Sequence, residues 1–164
     1  WNVEPDMVLL AKALSGGHVP VGALLTRKSI FDKIFNQMDR AVVHGSTFAK
    51  NDLAMAAGIA TLEVMEAEKL VEQSAKRGAE LRLALTRMVP GYELLKEVRG
   101  KGLMLAVELH PEAGGARRYC ERLRDAGLLA KDTHEHTIRI APPLVIQPDD
   151  VDWASEIFAR ILKD

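Results

Sequence analysis

The chain has 164 residues, of which 48% are hydrophobic and 27% are charged, so it can bury a core and is not a disordered tail. Its 22 basic and 23 acidic side chains leave a net charge of −1, which provides no general attraction for nucleic acid or an anionic membrane. The single cysteine, Cys120, excludes an internal disulfide framework, and the lack of an apolar run long enough to cross a bilayer leads us to expect a cytoplasmic protein.

The first part of the chain alternates short apolar runs with helical patterns. Apolar runs predict three strands, the first of them buried, at 7–10, 19–25 and 41–43. Residues 28–35 have the pattern of a short helix or a turn. A long helical pattern follows at 53–68, and Asn51 or Asp52 is the expected cap of this helix. Because a buried strand needs neighbours on both sides, a strand this close to residue 1 leads us to expect the latter part of a longer protein.

The second part has the pattern of a small α+β domain with a mostly antiparallel sheet. Amphipathic spacing predicts helices at 70–88, at 116–126 and after Pro148. Strand-like runs stand between them, at 94–98, 103–109, 128–131 and 137–141. We therefore expect two domains, residues 1–70 and residues 71–164.

Lys12 follows the strand predicted at 7–10 after one residue, Ala11, and precedes the turn-forming sequence Ser15-Gly16-Gly17. If the strand end withdraws the amine from water, its pKa falls, as required of an amine that forms an imine with a carbonyl compound. The alternative is a lysine whose stem lies along the strand end and whose amine stays in water.

Ser46 and Thr47 stand next to Gly45, before the helix predicted at 53–68. Two hydroxyls and free backbone N–H groups can hold an anion such as a phosphate, and a plain helix cap is the alternative. An imine-forming lysine and a phosphate site occur together in enzymes that use pyridoxal phosphate (PLP), where a lysine holds the aldehyde and hydroxyls hold the phosphate.

Arg139 lies within the apolar strand predicted at 137–141. Burying a guanidinium is expensive unless a carboxylate or phosphate meets it in a bidentate pair. The position therefore predicts either an internal ion pair with a glutamate or a site for a ligand carboxylate. Both interpretations can hold in one enzyme, in which the glutamate takes the place of the substrate carboxylate beside the arginine.

Taken together, five stretches resemble the class III aminotransferases, in family order along the chain: 5–17, 44–47, 98–103, 123–131 and 138–146. The resemblance implies an α/β protein, the C-terminal part of a fold-type-I PLP-dependent transferase. Residues 1–70 would end its large PLP-binding domain, and residues 71–164 would form its small α+β domain. Within the family, the stretches 132–134 and 138–143 favour the members that act on ornithine over those that act on acetylornithine.

The resemblance also implies roles for single residues. Lys12 is similar to the lysine that forms an imine with PLP and then moves a proton between the substrate Cα and the cofactor. Thr47, with Ser46, is similar to the hydroxyls that reach the cofactor phosphate of the neighbouring subunit in a homodimer. Arg139 resembles the arginine that receives the α-carboxylate of glutamate or 2-oxoglutarate, and that pairs with a glutamate when ornithine is bound. The implied reaction transfers the δ-amine of ornithine to 2-oxoglutarate, in proline and arginine metabolism.

The sequence departs from the family in two ways. Residues 48–52 read Phe-Ala-Lys-Asn-Asp, where the ornithine enzymes usually have an aromatic residue, two glycines, asparagine and proline. The family's first half, which supplies the aspartate for the pyridine nitrogen, is absent, so we expect little catalysis without a complementing N-terminal half. The alternatives are a non-catalytic remnant that associates through exposed apolar surfaces and another family member such as an acetylornithine enzyme.

The remaining candidates are interpreted as structural. We assign His44 to a loop. His134 and His136 flank Glu135 without a third convergent ligand, so no metal site is expected there. The predicted helix at 116–126 carries mixed charges typical of a solvated face rather than a nucleic-acid patch, with Cys120 on its buried side.

Overall fold

A computed structural model describes residues 2–163. The chain divides into two compact units, of which the first ends at Glu68 and the second begins at Lys69. Within residues 2–163, no helix is both long enough and apolar enough to span a membrane.

The first unit contains a two-stranded hairpin and two helices. Strand β1 (Met7–Ala11) pairs antiparallel with β2 (Gly22–Thr26), with Met7 opposite Thr26 and Ala11 opposite Gly22. Helix α1 (Lys28–Ile34) follows β2, and α2 (Asp52–Ala67) ends the unit. The strand predicted at 41–43 is wrong: this stretch forms bends, because none of the strands described in residues 2–163 pairs with it.

The burial predicted for the first strand is also wrong in this structure. All five residues of β1 are exposed, and Leu9 is 81% exposed. A strand that is apolar on both faces is buried only when other elements cover both faces. In the part of the chain that the structure describes, β2 is the one strand paired with β1.

The second unit combines a four-stranded sheet with three helices. Its antiparallel sheet has the order β3-β4-β6-β5, with bounds β3 (Leu95–Lys101), β4 (Met104–Leu109), β5 (Lys131–Thr133) and β6 (Thr137–Ile140). Its helices are α3 (Leu70–Thr86), α4 (Arg117–Asp125) and α5 (Pro148–Lys163). The helices and one face of the sheet share a core that includes Val107, Leu123, Ile138 and Phe158, each 0% exposed.

The third strand of this domain begins later than the sequence predicts. The stretch 128–130 packs as irregular backbone, and β5 begins only at Lys131. The Leu128 N–H bonds to the Leu123 carbonyl at 2.8 Å, which closes the end of α4 and uses the group a strand would need for pairing. Cys120 lies on the buried side of α4 as expected, and burial raises the pKa of its thiol.

Candidate functional site

Lys12 occupies a strained backbone position at the end of β1. It opens a 3₁₀ turn (Lys12–Ser15) with φ +57°, a left-handed conformation that costs a non-glycine residue about 1–3 kcal/mol. Its side chain is exposed and makes no hydrogen bond or ion pair with residues 2–163. The amine is therefore available for chemistry, but the expectation that the strand end withdraws it from water is not met here.

Ser15 locks the turn that carries Lys12. Its side chain is fully buried, its hydroxyl donates to the Val19 carbonyl, and it accepts from the Val19 N–H at 3.2 Å. One hydroxyl thus satisfies both backbone groups of Val19 and closes the loop over Gly16 and Gly17. The sequence analysis placed Ser15 in this turn but gave its hydroxyl no role, although a lone hydroxyl between an apolar strand and a glycine pair was a usable signal.

Helix α2 supports the same turn from the other side. A Cβ added at Gly58 would lie 3.8 Å from the Leu14 carbonyl oxygen, and one added at Gly16 would lie 3.2 Å from Thr61 Oγ1. The Thr61 hydroxyl donates to the Ala57 carbonyl at 2.7 Å and is held in place. The backbone after Lys12 therefore packs directly on α2, which depends on small residues at the contact.

Ser46 and Thr47 are not helix caps. The cap of α2 is Asn51, whose side-chain oxygen accepts the Ala54 N–H at 3.1 Å. The segment before it is a turn in which the Ala49 N–H bonds to the Ser46 carbonyl at 3.1 Å. Both hydroxyls are exposed and form no hydrogen bond with residues 2–163, so they remain free for an anion.

A cavity of about 270 Å³ lies beside this turn. Ser46, Lys50 and Asn51 line it on one side, and residues 20–22 line it on the other. Because Gly22 pairs with Ala11, the residue before Lys12, the cavity lies at the Lys12 end of the hairpin. A free hydroxyl and a lysine facing one small cavity suit a phosphate group. Thr47 is not among the residues that line the cavity.

Arg139 lies in the second unit, on β6, and its environment corrects the prediction. The guanidinium is exposed rather than buried, because alternate residues of β6 face opposite sides of the sheet and Arg139 faces solvent between the buried Ile138 and Ile140. No acidic side chain among residues 2–163 forms an ion pair with it. The predicted internal ion pair is absent from the described chain, and a ligand carboxylate can reach the guanidinium from solvent.

The histidines considered in the sequence analysis, His44, His134 and His136, lie outside these clusters. His44 lies in an exposed bend, and His134 and Glu135 form the turn between β5 and β6 with positive φ. Residues 2–163 contain no group of three or more histidine, cysteine or acidic side chains arranged to hold a metal ion.

The chain is similar to known aminotransferases in both sequence and structure. The family model described as Aminotransferase class-III matches residues 1–162. The ornithine aminotransferase of Halalkalibacterium halodurans is 46% identical over 162 residues, 99% of this chain and 38% of the relative. Acetylornithine aminotransferase from Elizabethkingia anophelis superposes with a TM-score of 0.88 at 39% identity, over 99% of this chain and 40% of that structure. An amine transaminase from an uncultivated Pseudomonas species, solved in its PLP-bound form, superposes with a TM-score of 0.90 at 34% identity, over 99% of this chain and 39% of that structure.

The chain therefore spans between 37% and 39% of the length of the curated relatives it matches. The matched stretch contains the turn with Lys12, the segment with Ser46 and Thr47, and the strand with Arg139.

Proposed function

This chain belongs to the class-III aminotransferases, and on that premise we propose that it forms part of a PLP-dependent ornithine aminotransferase. The reaction moves the δ-amine of ornithine to 2-oxoglutarate and yields glutamate semialdehyde and glutamate. The observation that carries the proposal is Lys12: an exposed, unpaired amine on a strained turn that Ser15 and α2 hold in place.

Lys12 is the residue that would hold the cofactor. PLP, when bound, supplies an aldehyde that condenses with amines and a ring that accepts an electron pair from the substrate. Nζ of Lys12 would hold that aldehyde and would move a proton at the substrate carbon. A fixed backbone matters for this role, because proton transfer requires the amine within about 2.6–3.2 Å of its target atom.

Ser46 and Thr47 would bind the phosphate of the cofactor. Their hydroxyls are free because Asn51 caps α2, and the positive charge of Lys50 faces the same cavity as Ser46. In the homodimer that we propose, these hydroxyls reach the cofactor of the neighbouring subunit. Lys50 replaces a neutral residue of the ornithine enzymes and would strengthen the attraction for a phosphate.

Arg139 would receive the α-carboxylate of glutamate or 2-oxoglutarate. Its planar guanidinium offers two parallel N–H donors to a carboxylate, and residues 2–163 supply no competing acid. Ornithine is the donor we favour, because residues 132–134 and 138–143 resemble the ornithine enzymes and the ornithine aminotransferase of Halalkalibacterium halodurans is 46% identical to this chain. An acetylornithine donor is the alternative within the family.

Reductive trapping tests the role of Lys12. The purified chain is mixed with PLP, its absorbance spectrum is recorded, and borohydride reduction is followed by peptide mapping. We expect the label on Lys12 in the parent chain and equally in Lys33→Ala, a matched control on α1, and its loss in Lys12→Ala. Label spread over many exposed lysines, with Lys12→Ala unaffected, would contradict the proposal.

A second candidate is a non-catalytic protein that associates with a second copy of itself. The exposed apolar hairpin favours it, since Leu9 is 81% and Leu24 is 58% exposed. This candidate predicts a dimer or larger species in sedimentation without any specific PLP label. A monomer that carries the label on Lys12 excludes it.

A further inference from the structure

The four-stranded sheet of the second unit has one face packed on the helices and one face open to solvent. Val107 and Ile138, which are paired in register, are both 0% exposed and face the core. Their neighbours along the strands therefore point to the open face. On this face stand Glu97 and Arg99 of β3, Ala106 and Glu108 of β4, Arg139 of β6 and Lys131 of β5.

The strand register aligns four of these side chains in a row across the sheet. Arg99 is opposite Ala106, Ala106 is opposite Arg139, and Arg139 is opposite Lys131. Directly opposed residues have Cβ atoms about 4.5–5.5 Å apart. Lys131 and Arg139 are thus two adjacent cations, and on the other side of Arg139 the small Ala106 leaves space.

Two like charges placed opposite each other destabilise a sheet, so this pair needs compensation. The acids of the open face do not provide it. Glu97 pairs with Arg99 at 3.0 Å, while Glu108 pairs with Lys96 at 2.7 Å and also with Arg99. Arg139 has no acidic partner among residues 2–163.

Lys131 is only weakly engaged. Its Nζ lies 3.4 Å from Asp132 Oδ1, at the long end of the hydrogen-bond range, and its side chain is 61% exposed. Asp132 also faces Arg117 at 3.7 Å, so this acid is shared between two cations. The Lys131 amine can therefore turn to an anion held at Arg139.

We propose that Lys131 and Arg139 together bind one carboxylate of a small dicarboxylic acid, with Lys131 as the second cation of the site. The inference rests on the proposed role of Arg139 and extends it to a residue that lies eight positions earlier and meets it only through the sheet register. Arg139 provides the bidentate contact, and Lys131 adds a point charge on the other side of the same carboxylate. Binding then removes the repulsion between the two cations.

A lysine on an edge strand has a simpler role, since it discourages pairing with another chain. That role requires neither Arg139 beside it nor an anion. If Lys131 only discourages strand pairing, removing its charge leaves anion binding at Arg139 unchanged. If Lys131 is part of the site, removing its charge weakens anion binding.

The test is an NMR titration of the chain with glutarate, which has two carboxylates and no keto group to react with amines, and with neutral glutaramide as the matched probe. We expect glutarate, and not glutaramide, to shift the backbone amides of Ala106, Lys131 and Arg139. Lys131→Gln should weaken glutarate binding about threefold to tenfold, a range that matches one exposed charge-assisted contact. Lys131→Arg should retain the affinity within about twofold, since it keeps the charge.

Lys76→Gln is the matched control, because it removes one exposed charge from α3, which packs on the core side of the sheet. It should leave the affinity unchanged. Without glutarate, Lys131→Gln should melt at the same temperature as the parent chain or higher, because it relieves the repulsion at Arg139.

The outcomes separate this inference from the proposed function. If Arg139→Gln abolishes binding and Lys131→Gln does not change it, the two-cation site is refuted while the role of Arg139 stands. If glutarate shifts none of the three amides, both the two-cation site and the carboxylate role of Arg139 fail. Trapping of PLP on Lys12 is unaffected in either case, so the cofactor proposal is judged independently.

Discussion

Gly78 of α3 lies directly against the backbone of Gly102, in the turn between β3 and β4. A Cβ at position 78 would lie closer than 3.0 Å to the oxygen, carbonyl carbon and Cα of Gly102. The neighbouring Ser74 hydroxyl accepts the Leu103 N–H of the same turn at 3.2 Å. The turn thus packs on α3 because position 78 has no side chain, and one hydrogen bond holds it there. This contact fixes the β3–β4 hairpin, which forms part of the open face of the sheet.

We expect Gly78→Ala to destabilise the second unit by about 1–3 kcal/mol, because backbone atoms must move to admit the methyl group. The change also gains roughly 1 kcal/mol of helix propensity, which is too little to offset the overlap. Urea unfolding followed by circular dichroism measures the effect. Gly91→Ala is the control, since a Cβ there meets nothing within 4 Å, and equal stability of the two variants would refute the contact.

Ser15→Ala should loosen the turn that carries Lys12. Losing the hydroxyl leaves the Val19 N–H and carbonyl without this partner, at a cost of about 1–3 kcal/mol for buried groups. Hydrogen exchange of the Val19 amide should become faster, and PLP should be trapped on Lys12 more slowly. Ser29→Ala, an exposed serine of α1, should change neither quantity. Unchanged exchange at Val19 would show that the glycines alone hold the turn.

Glu108 should make the second unit sensitive to acid. The hydrogen bond from Lys96 lowers its pKa below the ordinary value of 4.5, burial opposes the shift, and the charge of Arg99 adds to it. A carboxylate with a lowered pKa stabilises the fold above pH 4.5 and loses this contribution as the pH falls through its folded-state value.

The variant Glu108→Gln tests this dependence. At neutral pH it should be less stable than the parent chain, and below the folded-state pKa of Glu108 the two should converge. Thermal unfolding measured from pH 7 downward detects this. Glu112→Gln, an exposed residue without an ion pair among residues 2–163, should follow the parent chain throughout. A constant gap between Glu108→Gln and the parent chain at all pH values would rule out the ionic explanation.

Cys120 should be chemically inert in the folded chain. It is 7% exposed, and burial followed by the nearby charge of Asp132 raises the pKa of its thiol, so little thiolate forms near neutrality. We expect Ellman's reagent to modify it slowly in buffer and rapidly in urea. A Ser29→Cys variant provides an exposed thiol for comparison and should react quickly in both solvents. Rapid modification of Cys120 without urea would mean that α4 opens easily.

Much of the second unit was predictable from sequence, because local pattern and burial agree there. The apolar spacing of α5 and the alternation of β4 correspond to one face packed on a core and one face in water. The same reasoning failed at 41–43 and at 128–130. A short apolar run at 41–43 does not show whether a partner strand exists. Leu128 is buried in the core, but its stretch of backbone pairs with none of the described strands.

The chemical candidates were also visible in the sequence. Each candidate is recognised from its neighbours in the sequence. Lys12 follows an apolar run, Ser46 and Thr47 are adjacent hydroxyls, and Arg139 stands between apolar residues. Their environments were not visible. Lys12 proved to be exposed, and Arg139 proved to face solvent with no acidic partner among residues 2–163, because exposure depends on which elements cover a strand.

The sequence by itself therefore determined the residue types, their order and most helices, since these depend on neighbours within a few positions. Only the tertiary structure decided that Ser15 closes the turn of Lys12, that Gly78 must lack a side chain, and that Lys131 stands opposite Arg139. Each of these relationships depends on strand register or on close backbone approach. Such contacts form between residues that only folding brings together, so no pattern within a few positions of the sequence specifies them.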